Sequence, residues 1–256
     1  MNYDAKEQIR DYWTRRAKTF DLPPTHGIRS DRELAAWMRL IGAGAPEMKE
    51  ARVLELASGT GEFSRVLLAL GCRVDDLDLS EGMIARARAR AKHGDALRLF
   101  QGDAENTMMP DAAYDAVICR HLVWTLLNPM AAFRDWLRVL APGGRLVIVD
   151  GNWSHLDRIG RLAALLSTLW DRLSPQPKPY DAAAHGLIER HLHFRDGLRA
   201  EDLAPMLAEA GFGNIRILPL DGVLPAQLRA ASWRDRLHLL QNSGRGFVVT
   251  ARHPAP

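Results

Sequence analysis

The stretch Val53–Phe63, VLELASGTGEF, decides the fold of this chain of 256 residues. It reads as an apolar strand that carries one acid, Glu55, followed by a glycine turn and the start of a helix. Glycine lets the backbone turn sharply and approach a ligand closely, and the first N–H groups of the helix stay free to donate. The stretch therefore predicts a site for a nucleotide-type cofactor at the end of a strand.

The spacing of the glycines distinguishes two classes of cofactor. A dinucleotide fingerprint, G-x-G-x-x-G, requires a glycine three residues after Gly61, and this chain has Ser64 there. The pattern E-x-A-x-G-x-G over residues 55–61 instead resembles the first motif of the class I S-adenosylmethionine-dependent methyltransferases, E/D-x-G-x-G-x-G. Ala57 replaces the first glycine of that motif. The resemblance implies S-adenosylmethionine as the cofactor.

Further motifs follow in the order of the same family. A second predicted strand ends in Asp78, about twenty residues after the glycine turn, where an acid can accept hydrogen bonds from both ribose hydroxyls. By resemblance, Asp103 accepts from the adenine amino group and Met83 packs on the adenine face. Residues 114–120 read as a fourth strand, and residues 140–150, LAPGGRLVIVD, as the family's L-x-P-G-G turn and fifth strand. The cofactor-binding residues implied here are Glu55, Ala57, Gly59, Gly61, Asp78, Leu79, Met83, Asp103 and Ala104.

Strands alternate with helical patterns between residues 51 and 150, which predicts a parallel sheet covered on both faces. Together with the resemblance, this gives an expected fold class of α/β, Rossmann-like, with a seven-stranded, mostly parallel sheet and helices on both faces. The last two strands are expected to form an antiparallel pair. Residues 1–49 read as a helical lid, and residues 50–256 as the methyltransferase domain that binds the cofactor.

Two insertions are expected in this domain. The first, at about residues 153–196, carries an amphipathic helix over 156–173 and is expected to roof the substrate pocket. The second, at about residues 222–243, separates the last two strands and carries a helical pattern over 227–240.

Composition limits the partners. The chain has 34 basic and 31 acidic residues, and the net charge of +3 is too small to indicate a polyanionic partner. Cys72 and Cys119 lie inside apolar strand patterns, which suits buried thiols in a reducing compartment. No apolar run is long enough for a transmembrane helix, and the polar start does not read as a signal peptide. We expect a cytoplasmic monomer or homodimer that uses a small-molecule substrate, with no nucleic-acid and no membrane partner.

The chemistry that the resemblance implies is an in-line SN2 transfer of a methyl group from a sulfonium to a nucleophile. Positioning supplies most of the acceleration, and a general base is needed only where the acceptor must lose a proton. Residues 120–129, RHLVWTLLNP, follow the fourth strand, where the family's chain passes the methyl group. His121 is a candidate base, Arg120 a candidate for catalysis or for holding a carboxylate, and Trp124 a candidate substrate contact. The alternative is that Trp124 only packs and His121 donates to the backbone.

The opening YWTRRAKTFD, residues 12–21, resembles the Y-W-x-x-R-A-x-x-Y/F-D start of many small-molecule methyltransferases. The resemblance implies that Tyr12 and Arg16 hold the methionine carboxylate of the cofactor, and Tyr12 is also a catalytic candidate. The alternative is an amphipathic helix that buries its aromatic side chains and leaves its arginines solvated. His26 is a candidate substrate contact.

Polar residues near the predicted roof complete the candidate set. Asn152, Tyr180, His191 and His193 are expected to contact the substrate. His185, His191 and His193 also raise a metal hypothesis, because His191 and His193 on an extended segment would place two imidazoles on one side. Glu189 and Asp196 could complete such a site. No cysteine lies near them, and histidines in a polar roof are more often surface or substrate contacts, so we expect no metal.

The sequence identifies the cofactor better than the acceptor. The favoured function is S-adenosylmethionine-dependent methyl transfer to a small molecule, with N, O, S or C as the acceptor atom. Two alternatives stay open. One is intramolecular chemistry on the cofactor, such as cyclisation of its aminobutyrate arm with release of methylthioadenosine. The other is a regulatory module that binds the cofactor without turnover.

Overall fold

Seven β-strands form one sheet in the computed structural model, which describes residues 2–44, 50–91, 94–153, 156–173, 182–220 and 222–255. The strands are β1 (Arg52–Leu56), β2 (Arg73–Asp78), β3 (Leu97–Gln101), β4 (Tyr114–Arg120), β5 (Leu140–Gly151), β6 (Gly213–Pro219) and β7 (Gly246–Arg252). Their order is β3-β2-β1-β4-β5-β7-β6. The five strands β1 to β5 are parallel to one another, and β7 runs antiparallel to β5 and β6. The predicted fold class is confirmed.

Helices cover the sheet, and polar side chains cap several of their ends. The described α-helices are α1 (Asn2–Arg16), α2 (Asp31–Gly44), α3 (Ser64–Ala69), α4 (Glu81–Arg90), α5 (Pro129–Val139), α6 (Arg158–Leu173), α7 (Ala182–Glu189), α8 (Ala200–Ala210), α9 (Leu224–Ala230) and α10 (Trp233–Gln241). Ser80 begins α4 by accepting a hydrogen bond from Met83 N at 3.1 Å. Ser232 begins α10 in the same way, so the helical pattern over 227–240 forms two helices.

The central strands are apolar on both sides because helices pack on both faces of the sheet. On one face, Leu54 and Leu56 pack in a cluster that includes Trp136 of α5. On the other face, Val53 packs in a cluster that includes Phe63 and Trp37, the latter from α2. A parallel strand that is covered on both faces needs a continuous apolar run, and this requirement made β1 readable from the sequence.

The strand order changes direction at β1, because its neighbours β2 and β4 lead to opposite edges of the sheet. In open α/β sheets, ligands bind outside the carboxyl ends of the strands at such a point. The chain leaves β1 at Leu56 and enters the glycine turn at once. The topology thus positions the turn where a ligand site is expected.

The added segments pack against one another. Residues 17–30 connect α1 to α2, α7 packs against α1, and α6 packs against α10. Among the described residues, no helix is long and apolar enough to cross a membrane.

Candidate active site

A cavity of about 660 Å³ opens at the carboxyl ends of the parallel strands. Each of these strands contributes lining residues from the segment at or directly after its end. From above, α1, the 17–30 connection and α7 cover the cavity. The lining from the sheet side includes Ala57, Gly59, Asp78, Leu79, Gly102, Asp103, Ala104, Arg120, His121, Gly151 and Trp153.

The glycine turn after β1 is built from left-handed residues. Ala57 has φ +50°, Gly59 φ +60° and Gly61 φ +77°. Gly59 lines the cavity, and a Cβ there would lie 3.5 Å from the ring of Phe20. Gly61 instead faces α4, where a Cβ would lie 3.3 Å from the Cβ of Ala87. At Gly59 the backbone of the turn therefore borders the cavity, whereas Gly61 allows the turn to pack closely against α4.

Asp78 ends β2 as a buried carboxylate at the cavity wall. Its two oxygens each accept a hydrogen bond of 2.8 Å, one from Gly59 N and the other from Ser80 N. Burial raises the pKa of Asp78 to about 6, and these two hydrogen bonds act in the opposite direction. Each oxygen keeps a lone pair that a ligand hydroxyl can use.

Asp103, after β3, also lines the cavity, and it is paired with a residue of the lid. The ammonium of Lys6 on α1 contacts the Asp103 carboxylate and lies 3.2 Å from Oε2 of Glu105. The second oxygen of Asp103 accepts from Glu105 N at 2.9 Å. Lys6 was not among the predicted site residues, because no local pattern relates it to an acid far along the chain.

Glu55, the acid of the first motif, lies outside the cavity lining. It is opposite Asp76 in the register of β1 and β2, and both side chains are buried. Burial raises the pKa of Glu55 well above its ordinary value, and the neighbouring Asp76 raises it further. Ser64 Oγ donates to Asp76 at 2.7 Å. The pair joins β1, β2 and the start of α3 behind the glycine turn.

Arg120 fastens the lid connection to the sheet. Its guanidinium donates to the carbonyl oxygen of His26 and lies 5.3 Å from the ring centroid of Phe63 and 5.5 Å from that of Trp37. Burial lowers the pKa of Arg120, and Glu55 has the largest opposing effect. Arg120 lines the cavity while its guanidinium holds the 17–30 connection in place.

His26 and His121 form a pair of neutral imidazoles in the cavity wall. His26 Nδ1 lies 2.7 Å from the carbonyl oxygen of Phe20, to which it donates, and its ring stacks on that of Phe20 with centroids 4.4 Å apart. His121 has φ +59° and lies 5.9 Å from His26 and 5.1 Å from Trp153, measured between ring centroids. Burial lowers the pKa of His26 to about 4 and that of His121 well below its ordinary value.

A chain of three polar side chains connects the lid to α7. The hydroxyl of Tyr12 lies 2.9 Å from Nδ1 of His185, and Nε2 of His185 lies 3.2 Å from Oε1 of Glu189. All three residues line the cavity. Arg16 lines it too, and its guanidinium donates to Thr19 Oγ1 at 2.8 Å.

The other predicted substrate contacts divide into two groups. Trp124 lines the cavity, with its ring 5.8 Å from that of His185. His191 and His193 are exposed in turns after α7, not on an extended segment, and they lie outside the lining, as does Asn152. Tyr180 lies outside the described residues. Within the predicted insertion at about 153–196, α7 contributes residues to the cavity lining, and the described residues of α6 do not.

Comparison with known proteins agrees with this geometry. A family model described as a methyltransferase domain matches residues 54–148. The demethylmenaquinone methyltransferase of Clavibacter sepedonicus is 37% identical over 214 residues, which are 80% of this chain and 76% of that protein. The protein of the same name in Thermus thermophilus is 36% identical over 227 residues, covering 85% and 87% of the two chains.

The solved structure of an S-adenosylmethionine-dependent methyltransferase from Mesorhizobium loti matches with a TM-score of 0.60 and 21% identity, over 85% of this chain and 97% of that one. This chain belongs to the class I S-adenosylmethionine-dependent methyltransferases. The predicted family, enzyme class and cofactor are confirmed.

The site of this methyltransferase fits S-adenosylmethionine. The left-handed backbone at Gly59 lets the turn approach a ligand, and Asp78 offers buried acceptor oxygens at the end of β2. Met83 and Asp103 also line the cavity, as the family motif implies. When bound, S-adenosylmethionine supplies an electrophilic methyl group on a sulfonium centre. We propose that Gly59, Asp78, Met83 and Asp103 bind S-adenosylmethionine.

Several lining residues escaped sequence reasoning. They include Lys6, Phe194, His238 and Asn242. One signal was available, because His238 and Asn242 are four residues apart at the end of a helical pattern and so lie on one face. The remaining residues come together only through tertiary contacts.

Proposed function

We propose that this methyltransferase acts on a small acceptor with a planar ring and an ionisable hydroxyl group, of the hydroquinone class. The observation that carries the proposal is the concentration of flat side chains around one cavity. Aromatic and imidazole rings bind a planar ring through stacked and edge contacts. The rings that line the cavity include Trp13, Phe20, His26, His121, Trp124, Trp153 and Phe194.

Two further observations support this acceptor class. The volume of about 660 Å³ lies within the usual range of small-molecule sites, and residues of α1 and α7 line the cavity. The relatives in Clavibacter sepedonicus and Thermus thermophilus are both named demethylmenaquinone methyltransferases, and that name indicates a quinone-type acceptor for them. The acceptor atom, oxygen or ring carbon, stays open for this chain.

A hydroquinone becomes a strong nucleophile once it loses a hydroxyl proton, so a route for that proton is required. Tyr12, His185 and Glu189 supply it. The acceptor proton passes to the Tyr12 oxygen while the phenol proton of Tyr12 passes to His185 Nδ1, which lies 2.9 Å away. The imidazolium that forms donates from Nε2 to the Glu189 carboxylate. Since the side chain of Glu189 is 51% exposed, the proton then leaves to water.

His121 is a weaker base than His185. Burial lowers the pKa of His121 well below its ordinary value, and the neighbouring charge of Arg120 lowers it further. At His185 burial also lowers the pKa, but Glu189 acts in the opposite direction. We therefore assign proton removal to Tyr12 and His185, and contact with the acceptor ring to His121 and His26.

The test compares products with and without an acceptor. Purified protein is incubated with S-adenosylmethionine alone, and then with 1,4-dihydroxynaphthalene under reducing conditions, and products are followed by mass spectrometry. S-adenosylhomocysteine and a methylated naphthalene are expected only in the second reaction. Transfer to components of a metabolite pool but not to the naphthalene would reject the ring acceptor. Methylthioadenosine formed without any acceptor would indicate intramolecular chemistry.

A pair of tryptophan variants tests where the acceptor binds. Trp124→Ala removes a ring from the cavity, and KM for 1,4-dihydroxynaphthalene is expected to rise about tenfold while S-adenosylhomocysteine binds as before. Trp233→Ala is the matched control, because Trp233 lies outside the lining and is 48% exposed. Equal effects of the two variants would contradict the assignment.

A further inference from the structure

Helix α6 packs with its small residues and presents its large ones to solvent. Ala163 is buried, and Gly160 lies so close to α10 that a Cβ would be 2.8 Å from the carbonyl oxygen of Gln241. A helix that serves only the core of a protein buries its large apolar side chains. Here the large apolar side chains are between 39% and 59% exposed, and the reversed arrangement indicates a contact surface. They are Ile159, Leu162, Leu165, Leu166, Leu169 and Trp170.

This surface continues onto α10. The rings of Trp170 and Trp233 are in edge contact with centroids 4.1 Å apart, and Trp233 is 48% exposed. We call the six apolar residues of α6 together with Trp233 the α6 face. An apolar surface of this extent is rare on a protein that contacts only water.

Three arginines of α6, Arg158, Arg161 and Arg172, are exposed. Since successive helical residues turn by about 100°, these three lie along one side of the apolar arc. Asp157, just before the helix, accepts a hydrogen bond from Gly160 N at 2.6 Å and so caps the start of α6. The α6 face therefore combines an apolar arc, two tryptophans and a flank of positive charge.

We propose that the α6 face binds the surface of an anionic lipid bilayer. Helices that lie in a membrane interface have this composition, with leucine and tryptophan at the boundary of the acyl chains and arginine at the phosphates. Anionic headgroups attract arginines that lie near the bilayer surface. A second copy of this chain would bring the same exposed arginines to the contact, where like charges repel. The charge thus favours lipid over self-association.

The position of the α6 face relates binding at a bilayer to access to the cavity. Helix α10 packs against α6 and also contributes His238 to the cavity lining, with Asn242 directly after it. One helix therefore borders both the bilayer surface and the site, so an apolar acceptor that partitions into lipid reaches the cavity without crossing much water. This peripheral association departs from the sequence-based expectation of no membrane partner, which rested on the lack of a spanning segment.

Vesicle sedimentation with the full chain tests the proposal. Vesicles of phosphatidylcholine alone are compared with vesicles that contain equal parts of phosphatidylcholine and phosphatidylglycerol. Binding is expected only to the anionic vesicles, with a blue shift of tryptophan emission, and it should weaken as salt rises because exposed charges are screened. None of these readouts uses the methyltransferase activity, so the result is independent of the proposed acceptor.

Three variants locate the contact. Leu166→Glu should weaken binding to anionic vesicles at least tenfold, on the order expected for losing one buried leucine. Arg161→Gln should weaken it about fivefold. Met108→Glu is the matched control, because Met108 is 86% exposed and lies outside the α6 face, and it should bind like the unchanged protein. Thermal unfolding of each variant checks that these surface changes leave the fold intact.

Three results would overturn the proposal. The first is no binding to anionic vesicles, or binding that needs no anionic lipid. The second is equal binding of the Leu166→Glu variant and the unchanged protein. The third is a concentration-dependent dimer in light scattering that Leu166→Glu abolishes, without vesicle binding, which would assign the face to a second copy of the chain.

Discussion

The hydroxyl of Tyr12 on α1 lies 2.9 Å from Nδ1 of His185 on α7, and this contact joins the N-terminal lid to the insertion after β5. Around it, Ile9 of α1 packs with Ile188 and Leu192 in a small apolar cluster. Two segments that are far apart in the sequence therefore meet directly above the cavity. The same contact closes the site and begins the proposed proton route.

Replacing Tyr12 by phenylalanine separates these two roles, because the ring still packs but the hydroxyl is lost. We expect kcat for a hydroquinone acceptor to fall about 100-fold, the usual effect of losing an acid–base group, with S-adenosylhomocysteine affinity nearly unchanged. Steady-state kinetics and calorimetry measure the two quantities. Weaker cofactor-product binding with unchanged kcat would instead support the role in holding the methionine carboxylate that the family resemblance implies.

The pH dependence of kcat should respond to Glu189. His185 must be unprotonated to accept a proton, and burial lowers its pKa below the ordinary value of 6.5, while Glu189 raises it. The rate should therefore be constant above neutral pH and fall as acid protonates His185. In Glu189→Gln the raising effect is lost, so the acidic limb should move to lower pH. His191→Gln, at an exposed position outside the cavity, should keep the original profile.

Cofactor affinity should depend on the ionisation of Asp78. Burial raises the pKa of Asp78 to about 6, and ribose hydroxyls donate best to the ionised carboxylate. The affinity for S-adenosylhomocysteine should therefore be nearly full about one unit above the pKa and fall as the pH drops through pH 6, about tenfold one unit below the pKa. Calorimetry across this range measures it. Asp78→Asn should bind weakly at every pH, and a variant that kept the wild-type pH dependence would exclude Asp78 as its source.

Local sequence signals predicted the part of the site that one strand and its following turn can specify. The glycine turn, Asp78 and Asp103 could be found because each directly follows an apolar run, and the carboxyl ends of parallel strands meet at one edge. Glu55 belongs to the same motif, but its partner Asp76 is on the neighbouring strand, and only the register of β1 with β2 brings the two acids together.

Contacts between distant segments could not be predicted in the same way. Lys6 and Asp103 are 97 residues apart in the chain, and Tyr12 and His185 are 173 apart. The pattern of α6 predicted an amphipathic helix, but a pattern alone does not say which side packs. The small residues of α6, among them Gly160, fit against α10, so the leucines face outward.

The lack of a side chain at Gly82 allows α1 of the lid to pack closely on α4. A Cβ at this position would lie 2.8 Å from the carbonyl oxygen of Thr14 and 3.1 Å from its Cα, so Gly82→Ala must displace α1. Alanine also favours the helix by about 1 kcal/mol, so the melting temperature should change little. We expect about tenfold weaker binding of S-adenosylhomocysteine and faster proteolysis of α1. Gly186→Ala on α7, with open space around its Cα, should have neither effect.

Ala57 is a strained residue at the position where the family motif has glycine. Its φ of +50° destabilises the folded state of a residue with a Cβ by about 1 to 2 kcal/mol. Glycine, in turn, stabilises the unfolded chain by about 0.4 to 1 kcal/mol, because its backbone has more conformational entropy. Because the strain outweighs this entropic effect, Ala57→Gly should raise the free energy of unfolding by about 0.5 to 1 kcal/mol in urea titrations. Ala85→Gly, at an exposed site inside α4, should lower it by about the same amount. If both variants were destabilised alike, the turn at Ala57 would not be storing strain.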